Sequence, residues 1–350
     1  MAGGVGSRFW PGSRESRPKQ FLDMLGTGRS LLRATYERFL PICPPDRMLV
    51  VTNAAYQNLT AEHLPELPAQ NILCEPSRNN TAPCIAYAAL RLRAMDPQAC
   101  FVVASSDHLV QRETFFLEKI NQAVAFVSER DALATIGITP TRPDTGYGYI
   151  RCGSEQAPGV FQVAQFLEKP DRQTAERFVA SGDYVWNAGI FVWSAQTILR
   201  AYRRLAPQIL EVLEAQPDKF GTDAEQDYID QVYPNTPGIS VDYAIMERAD
   251  NVYVLPADIG WSDLGTWASL YEVCEKDGRG NVLQGDALII TDTEDCMIRS
   301  QHGKLTVLRD LRGYIVVDTP DALLIYPKSK EQEIRQVVAA VKEKYGGSWL

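Results

Sequence analysis

From residue 30 onward the apolar positions switch between helical and extended spacings. Ser30 can cap a helix running to about Leu40, with Leu31, Leu32, Thr35 and Phe39 at helical spacing. Met48 to Val51 reads as a short buried strand, Asn53 to His63 as helix, and Asn71 to Cys74 as a second strand. Thr81 can cap the next helix, with Pro83 in its first turn and Ile85, Ala86, Ala89 and Leu90 as its buried stripe. Cys100 to Ala104 is an apolar strand running into Ser105-Ser106-Asp107-His108. A helix near Glu113 to Ser128 and a strand at Ala132 to Ile136 follow.

Strands and helices alternating in this way predict an α/β domain, Rossmann-like, with a mostly parallel sheet. Ligands of such sheets bind beyond the carboxyl ends of the strands. That directs attention to Glu75 to Asn80 and to Ser105 to His108. After about residue 280 the texture changes to short β-rich runs punctuated by Asp, Gly, Thr and Pro, followed by a helix from about Glu331 to Tyr345. The expected organisation is a domain over residues 1–275 and a small C-terminal β-rich domain over 276–350.

Composition narrows the function classes. With 45% hydrophobic and 23% charged residues, the 350-residue chain is ordinary for a globular protein. No apolar run approaches ~18 residues, so no membrane span is expected. No basic segment precedes an apolar stretch at the start, so no signal peptide is expected and the cytoplasm is the expected compartment. Seven cysteines, an odd number without CxxC spacing, argue against a disulfide framework or a zinc site. A net charge of −9 argues against nucleic acid as a partner. Against that acidic background Arg8, Arg14, Arg17 and Lys19 crowd into one short stretch, which suggests a small anionic ligand. A solvated basic loop is the plainer alternative.

The same stretch holds Ala2-Gly3-Gly4-Val5-Gly6-Ser7-Arg8-Phe9-Trp10-Pro11, then Arg17-Pro18-Lys19-Gln20-Phe21. A glycine-rich loop lets backbone N–H groups approach phosphates, and Arg8 and Lys19 can add charge. The Walker pattern is absent, and the dinucleotide pattern GxGxxG fails because Phe9 stands at its third glycine.

These residues resemble the signature of the nucleoside-diphosphate-sugar pyrophosphorylases, and their Phe-Trp-Pro and Pro-Lys-Gln-Phe variants resemble the mannose-1-phosphate guanylyltransferase branch. The resemblance continues in family order through Glu75-Pro76-Ser77-Arg78-Asn79-Asn80-Thr81, Ser105-Ser106-Asp107-His108, Gly146-Tyr147-Gly148-Tyr149 and Phe166-Leu167-Glu168-Lys169-Pro170. It then covers Trp186-Asn187-Ala188-Gly189, Ser240-Val241-Asp242-Tyr243-Ala244-Ile245-Met246-Glu247 and Gly260-Trp261-Ser262-Asp263-Leu264-Gly265-Thr266-Trp267.

The resemblance implies a set of roles. The loop residues Ala2, Gly3, Gly4, Gly6 and Ser7, with Arg8 and Lys19, would hold the GTP phosphates. Arg78, Asn79, Thr81 and Ser106 would lie near the nucleoside. Asp107 and Asp263 would hold Mg²⁺, which takes few protein oxygens. Glu168 and Asn187 would contact sugar hydroxyls, Gly148 would admit the sugar to the backbone, and Lys169 would pair with the sugar phosphate. The implied partners are GTP and mannose 1-phosphate, with a homodimer as the assembly to test. The implied reaction is in-line attack of the sugar phosphate on the α-phosphorus of GTP, with Arg8, Lys19 and Lys169 as the catalytic cations and pyrophosphate as leaving group.

Each residue also has a plainer reading. Asp107 could cap a helix, Asp263 could sit in a polar turn, Lys169 could be a solvated strand end, and Asn187 could satisfy a buried backbone group. His108 reads as structural, and His63 and His302 as surface residues. Two alternatives within reach of the same motifs are a guanylyltransferase for a heptose or fucose 1-phosphate and a non-catalytic nucleotide-sugar-binding homologue. Gly12 departs from the leucine common in this branch. About 80 residues follow the last motif, fewer than the isomerase domain of some relatives, so no phosphomannose isomerase activity is expected. Relatives carry an apolar strand before Ala-Gly-Gly, so a start upstream of Met1 is expected.

Overall fold

A computed structural model describes residues 1–4 and 7–350, leaving Gly6 of the glycine-rich loop, and the side chain of Ser7, outside the described part. The chain divides into two units. One comprises Met1–Gly3, Arg38–Ser105 and Val110–Trp261, the other Gly4–Glu37, Ser106–Leu109 and Ser262–Leu350. The chain therefore crosses between units in three of its family motifs, the glycine loop, the Ser-Ser-Asp-His turn and the Gly-Trp-Ser-Asp segment.

The first unit contains β1 (Val50–Asn53), β2 (Ile72–Glu75), β3 (Cys100–Val103), the short β4 (Leu109–Val110) as the chain re-enters it, β5 (Leu133–Ile138), β6 (Tyr149–Ala157), β7 (Val160–Leu167), β8 (Tyr184–Ser194) and β9 (Val252–Pro256). Helices Thr81–Met95, Glu113–Ser128 and Ala195–Leu205 pack on the sheets. The alternation predicted an α/β domain, and this is what forms. The sheet, however, is mixed rather than mostly parallel. β1 and β2 pair in parallel, as do β5 and β9. The remaining neighbours in the six-stranded order β3-β8-β5-β9-β7-β6 run antiparallel, and β6 also pairs with β8. The cause is local for β6 and β7. Only Pro158 and Gly159 separate them, with Gly159 at φ 70°, and so short a connection can only reverse the chain.

Helix starts follow the expected chemistry with one exchange. The Ser30 hydroxyl accepts from the Arg33 N–H at 3.2 Å. At the helix Thr81–Met95 the cap is Asn80, not Thr81: Asn80, at φ 68°, accepts from the Thr81 N–H at 2.8 Å. The Thr81 hydroxyl is engaged elsewhere, accepting from the Val241 N–H at 2.9 Å.

In the second unit, β10 (Trp261–Ser262) leads in from the first. It is followed by β11 (Val282–Gln284), β12 (Leu288–Thr291), β13 (Met297–Arg299), β14 (Thr306–Arg309), β15 (Tyr314–Asp318) and β16 (Leu323–Pro327), then the helix Ile334–Tyr345. β11, β13 and β15 stack in parallel, aligning Val282, Met297 and Ile315, while β12 stacks on β14. Those three side chains share a core with Phe9, Trp10, Met24 and Trp267, so the segment after the glycine loop packs on the β-rich region.

Gly137 lies in β5 at the register shift against β8. A Cβ there would come within 2.5 Å of Val185 Cγ2 and 2.8 Å of Val254 Cγ2. Gly137→Ala should therefore cost about 1–3 kcal/mol through overpacking. Urea unfolding checks this: the midpoint should fall with the slope unchanged, and an unmoved midpoint would mean that the two valines give way freely.

Candidate functional site

In the second unit the site is organised by Lys19. Its side chain is buried at the start of the short turn Lys19–Phe21, and a buried ammonium is costly unless every N–H finds an acceptor. Three acceptors surround it. The Asp107 carboxylate lies at 2.9 Å, the Asp263 carbonyl at 2.8 Å and the Leu264 carbonyl at 2.9 Å. Three segments far apart in sequence thus meet on one nitrogen. Burial alone would raise the Asp107 carboxyl, but the charges of Lys19 and His108 outweigh it and hold the group below the usual carboxylate range.

The turn that carries Asp263 is locally strained. Leu264 is fully buried with φ 44°, a left-handed conformation uncommon for leucine. The Asp263 carboxylate accepts from the Gly265 N–H at 3.0 Å, and a Cβ on Gly265 would press within 2.5 Å of that carboxylate. Arg8 Nη1 donates to the Gly265 carbonyl at 3.4 Å, and Gln20 Nε2 donates to the Gly4 carbonyl at 3.0 Å. Ser106 is buried beside Asp107 in sequence. Asp107 does not cap the following helix, whose first turn begins at Glu113 after Arg112. Of the basic cluster, Arg14 is committed to structure: it pairs with Asp321 at 2.8 Å and donates to the carbonyls of Pro11 and Trp349.

In the first unit, Ala2 donates to the Val51 carbonyl at 2.8 Å, and its own carbonyl accepts from Thr52 at 3.2 Å. Gly3 lies near Glu75, the last residue of β2, since a Cβ on it would sit 3.5 Å from Glu75 Oε2. The Glu75 carboxyl accepts from the Tyr233 hydroxyl, and burial pushes its pKa up to about 7. In the loop that follows, Arg78 donates to the Tyr56 hydroxyl at 2.7 Å. The Asn79 amide nitrogen is used within the fold, on the Tyr233 and Thr236 carbonyls and the Thr236 hydroxyl.

A second cluster of this unit gathers Gly148, Glu168, Lys169 and Asn187. Gly148 precedes β6, Glu168 and Lys169 follow β7, and Asn187 lies within β8. Because β6 pairs with both β7 and β8, the three segments converge. Lys169 has φ 48° and its Nζ lies 2.9 Å from Glu168 Oε1. Among the described residues Glu168 Oε2 is buried with no hydrogen-bond partner. A Cβ on Gly148 would lie 2.4 Å from that oxygen and 3.2 Å from Asn187 Cβ, so only glycine leaves room for both side chains. Burial, then the nearby Asp242, raises the Glu168 carboxyl. Burial would lower the Lys169 ammonium, but its bond to Glu168 outweighs that and raises it.

Two acidic residues complete this cluster that the sequence reading left without a role. Glu247 Oε1 accepts from the Glu168 N–H at 2.6 Å, and Asp242 Oδ1 accepts from Asn187 Nδ2 at 2.8 Å. They stand five residues apart, a spacing that separates side chains around an α-helix. Here Asp242–Met246 forms a π-helix, whose wider turn closes with the Glu247 N–H on the Asp242 carbonyl at 2.9 Å. The motif containing them was the only signal available in the sequence.

Comparison with known proteins follows this geometry. Residues 1–280 match the family described as Nucleotidyl transferase, and residues 286–341 match the MannoseP isomerase/GMP-like beta-helix domain. Xanthan biosynthesis protein XanB of Xanthomonas campestris pv. campestris is 38% identical over 98% of this chain and 72% of its own length. The mannose-1-phosphate guanylyltransferase of Escherichia coli (strain K12) is likewise 38% identical, over 98% of this chain and 72% of its own. A crystal structure from Thermus thermophilus, described as a mannose-1-phosphate geranyltransferase, superposes with a TM-score of 0.87 at 32% identity, covering 98% of both chains. Matched over most of its length by the family and throughout by these relatives, the chain belongs to the nucleotidyl transferase family.

Proposed function

We propose that this protein is a mannose-1-phosphate guanylyltransferase, joining GTP and mannose 1-phosphate into GDP-mannose and pyrophosphate. The observation that carries most weight is the meeting of Lys19, Asp107 and the Asp263 turn on one buried nitrogen, within motifs shared in order with that branch. Relatives named for this activity, 38% identical over nearly the whole chain, support the same reading.

In this reading an oxygen of the sugar phosphate attacks the α-phosphorus of GTP. A new P–O bond forms, the bond to the bridging oxygen of the β-phosphate breaks, and pyrophosphate leaves with that electron pair. The incoming phosphate monoester has a second pKa near ~6, so it is mostly ionised at pH 7 and needs no general base. The loop Ala2 to Ser7, with Arg8 and Lys19, would hold the GTP phosphates, and Arg78, Asn79, Thr81 and Ser106 would line the nucleoside. Glu168 and Asn187 would bind sugar hydroxyls, Gly148 would admit the ring, and Lys169 would pair with the sugar phosphate. A functional boundary near residue 275 and a homodimeric assembly belong to the same proposal, as does action in the cytoplasm.

The residues fit a magnesium ion. Asp107 and Asp263 offer hard carboxylate oxygens, and Asp107 is held ionised. Among the described residues no group of three or more His, Cys, Asp or Glu side chains is placed to bind a metal. Two carboxylates suit Mg²⁺, which keeps water and phosphate oxygens as its other ligands. Bound there, the ion would neutralise phosphate charge.

Pyrophosphate release measured across four nucleoside triphosphates and a panel of sugar 1-phosphates tests the proposal. GTP with mannose 1-phosphate should be the preferred pair, and Asp107→Asn and Asp263→Asn should each abolish most Mg²⁺-dependent turnover while leaving the melting transition cooperative. Preference for another pair would reject the assignment. Normal turnover in either variant would remove that residue from the metal site.

Lys19→Ala and Lys169→Ala should fail differently, the first in the use of GTP and the second in the use of the sugar phosphate. Loss of one charge-assisted contact is worth about 1.5–3 kcal/mol, or roughly ten- to a hundredfold. Steady-state kinetics with each substrate varied separates the two, and identical effects on both substrates would contradict the roles. Gly148→Ala should raise KM for the sugar phosphate, because the new methyl displaces Glu168 Oε2. An unchanged KM would show that Glu168 does not meet the sugar.

A further inference from the structure

The Asn187 amide could present either its oxygen or its nitrogen to a ligand, since the two ends are nearly the same shape and differ only in hydrogen bonding. Two neighbours, the Gly189 N–H and the Asp242 carboxylate, choose between them. The Gly189 N–H donates to Asn187 Oδ1 at 3.1 Å, and the Thr135 hydroxyl, 3.1 Å from the same oxygen, shares its single proton between it and the Ile190 carbonyl at 3.0 Å. On the opposite end, Asp242 Oδ1 accepts one N–H of Nδ2 at 2.8 Å. Turned over, the amide would set its NH₂ against the Gly189 N–H and its oxygen against the Asp242 carboxylate. One N–H of Nδ2 remains once Asp242 has taken the other.

That N–H has a counterpart. Asn187 and Glu168 flank the same glycine, with Asn187 Cβ and Glu168 Oε2 both crowding the space where a Gly148 Cβ would stand. Glu168 Oε2 is a buried acceptor with no partner among the described residues. A fixed donor and an unused acceptor therefore belong to two side chains that flank one glycine. A buried, unsatisfied acceptor is costly by itself, and a hydroxyl-bearing ligand would relieve it. Adjacent hydroxyls of a sugar ring offer what the pair requires, an oxygen to accept and an O–H to donate.

We propose that Asp242 is a positioning residue that fixes the Asn187 amide with one N–H free for a ligand oxygen, making Asn187 and Glu168 a donor–acceptor pair for two hydroxyls of the sugar. The π-helix Asp242–Met246 places Asp242 for this task, since it brings the carboxylate to Asn187 while Glu247, one turn on, secures the Glu168 backbone. Thr135, fully buried in β5, adds a weaker hold on the same amide oxygen, because its hydroxyl also serves the Ile190 carbonyl. The inference rests on the reading of Asn187 and Glu168 as sugar contacts.

Kinetics of the full chain with four variants test it: Asn187→Ala, Asp242→Ala, Asp242→Asn and Thr135→Val. Asp242→Ala should raise KM for mannose 1-phosphate by about tenfold or more, the scale of one hydrogen bond to a charged group, with KM for GTP nearly unchanged. Asp242→Asn keeps a carbonyl acceptor at that place and should recover most of the loss. Thr135→Val keeps the shape, removes one donor and should shift the same constant in the same direction. Deoxy analogues of the sugar phosphate, each lacking one hydroxyl, give a readout that a merely structural role would not move. Asn187→Ala and Asp242→Ala should cease to discriminate against the same analogue.

If Asn187→Ala raises the sugar KM but Asp242→Ala and Thr135→Val leave it unchanged, the positioning role is overturned and the sugar-contact reading stands. If Asn187→Ala itself leaves the sugar KM unchanged, the underlying contact is wrong and the inference falls with it. Should Asp242→Ala fail to fold, Thr135→Val and Asp242→Asn decide the matter, because equal effects on both substrates would mark a structural defect.

Discussion

A lysine ammonium buried in a protein must be given an acceptor for each of its three N–H bonds, and Lys19 receives them from one carboxylate and two carbonyls. Much of the second unit follows from that requirement. The Asp263–Leu264 carbonyls can both face the nitrogen only because Leu264 accepts a left-handed backbone, and Leu264 tolerates this in a fully buried position. The same turn needs glycine at 265, where any Cβ would collide with the Asp263 carboxylate. On the side of Lys19, its ammonium lies 5.8 Å from the Phe9 ring, and Phe9 packs edge-on against Trp267 at 5.0 Å. The charge, the strained turn and the aromatic pair form one arrangement, and it fixes the carboxylates of Asp107 and Asp263.

The first unit solves a related problem with acids. Glu168, Asp242 and Glu247 crowd together with a single lysine, Lys169, among them. Repulsion is limited by giving each carboxylate a donor: Lys169 for Glu168, the Asn187 amide for Asp242 and the Glu168 N–H for Glu247. One oxygen, Glu168 Oε2, is left over. Native proteins rarely leave a buried acceptor unpaired, and such groups call for an explanation in function. On the proposed reading, the explanation is recognition of a hydroxyl.

Both clusters concentrate departures from regular backbone geometry. Lys169 and Leu264 have positive φ, and the Asp242–Met246 turn is a π-helix. Each costs free energy that regular structure would not, and each lies beside a group able to meet a ligand. In the first unit the strain at Lys169 and Asp242–Met246 is tolerated because the surrounding sheet, with β8 buried along nearly its whole length, leaves these segments little alternative.

The sequence by itself determined the local elements and the order of the motifs. The helix near Glu113 to Ser128 was legible because helix formation is set largely by neighbouring residues, and it forms over Glu113–Ser128. The glycine loop, the Ser-Ser-Asp-His turn and the Gly-Trp-Ser-Asp motif were legible because each is a short contiguous pattern, and together they identified the family. What the tertiary structure decided concerns partners distant along the chain. Outside the β6–β7 hairpin, whose two-residue link fixes its sense, the mixed sense of the sheet depends on which strands pair, and spacing alone does not encode that. Asn80 displaced Thr81 as the cap because the Thr81 hydroxyl is taken by Val241, 160 residues away. Arg14 left the basic cluster for Asp321, 307 residues away. Asp242 and Glu247 converge on Glu168 and Asn187 only because the helix between them widened to a π turn, a change that leaves no mark in the periodicity of the sequence.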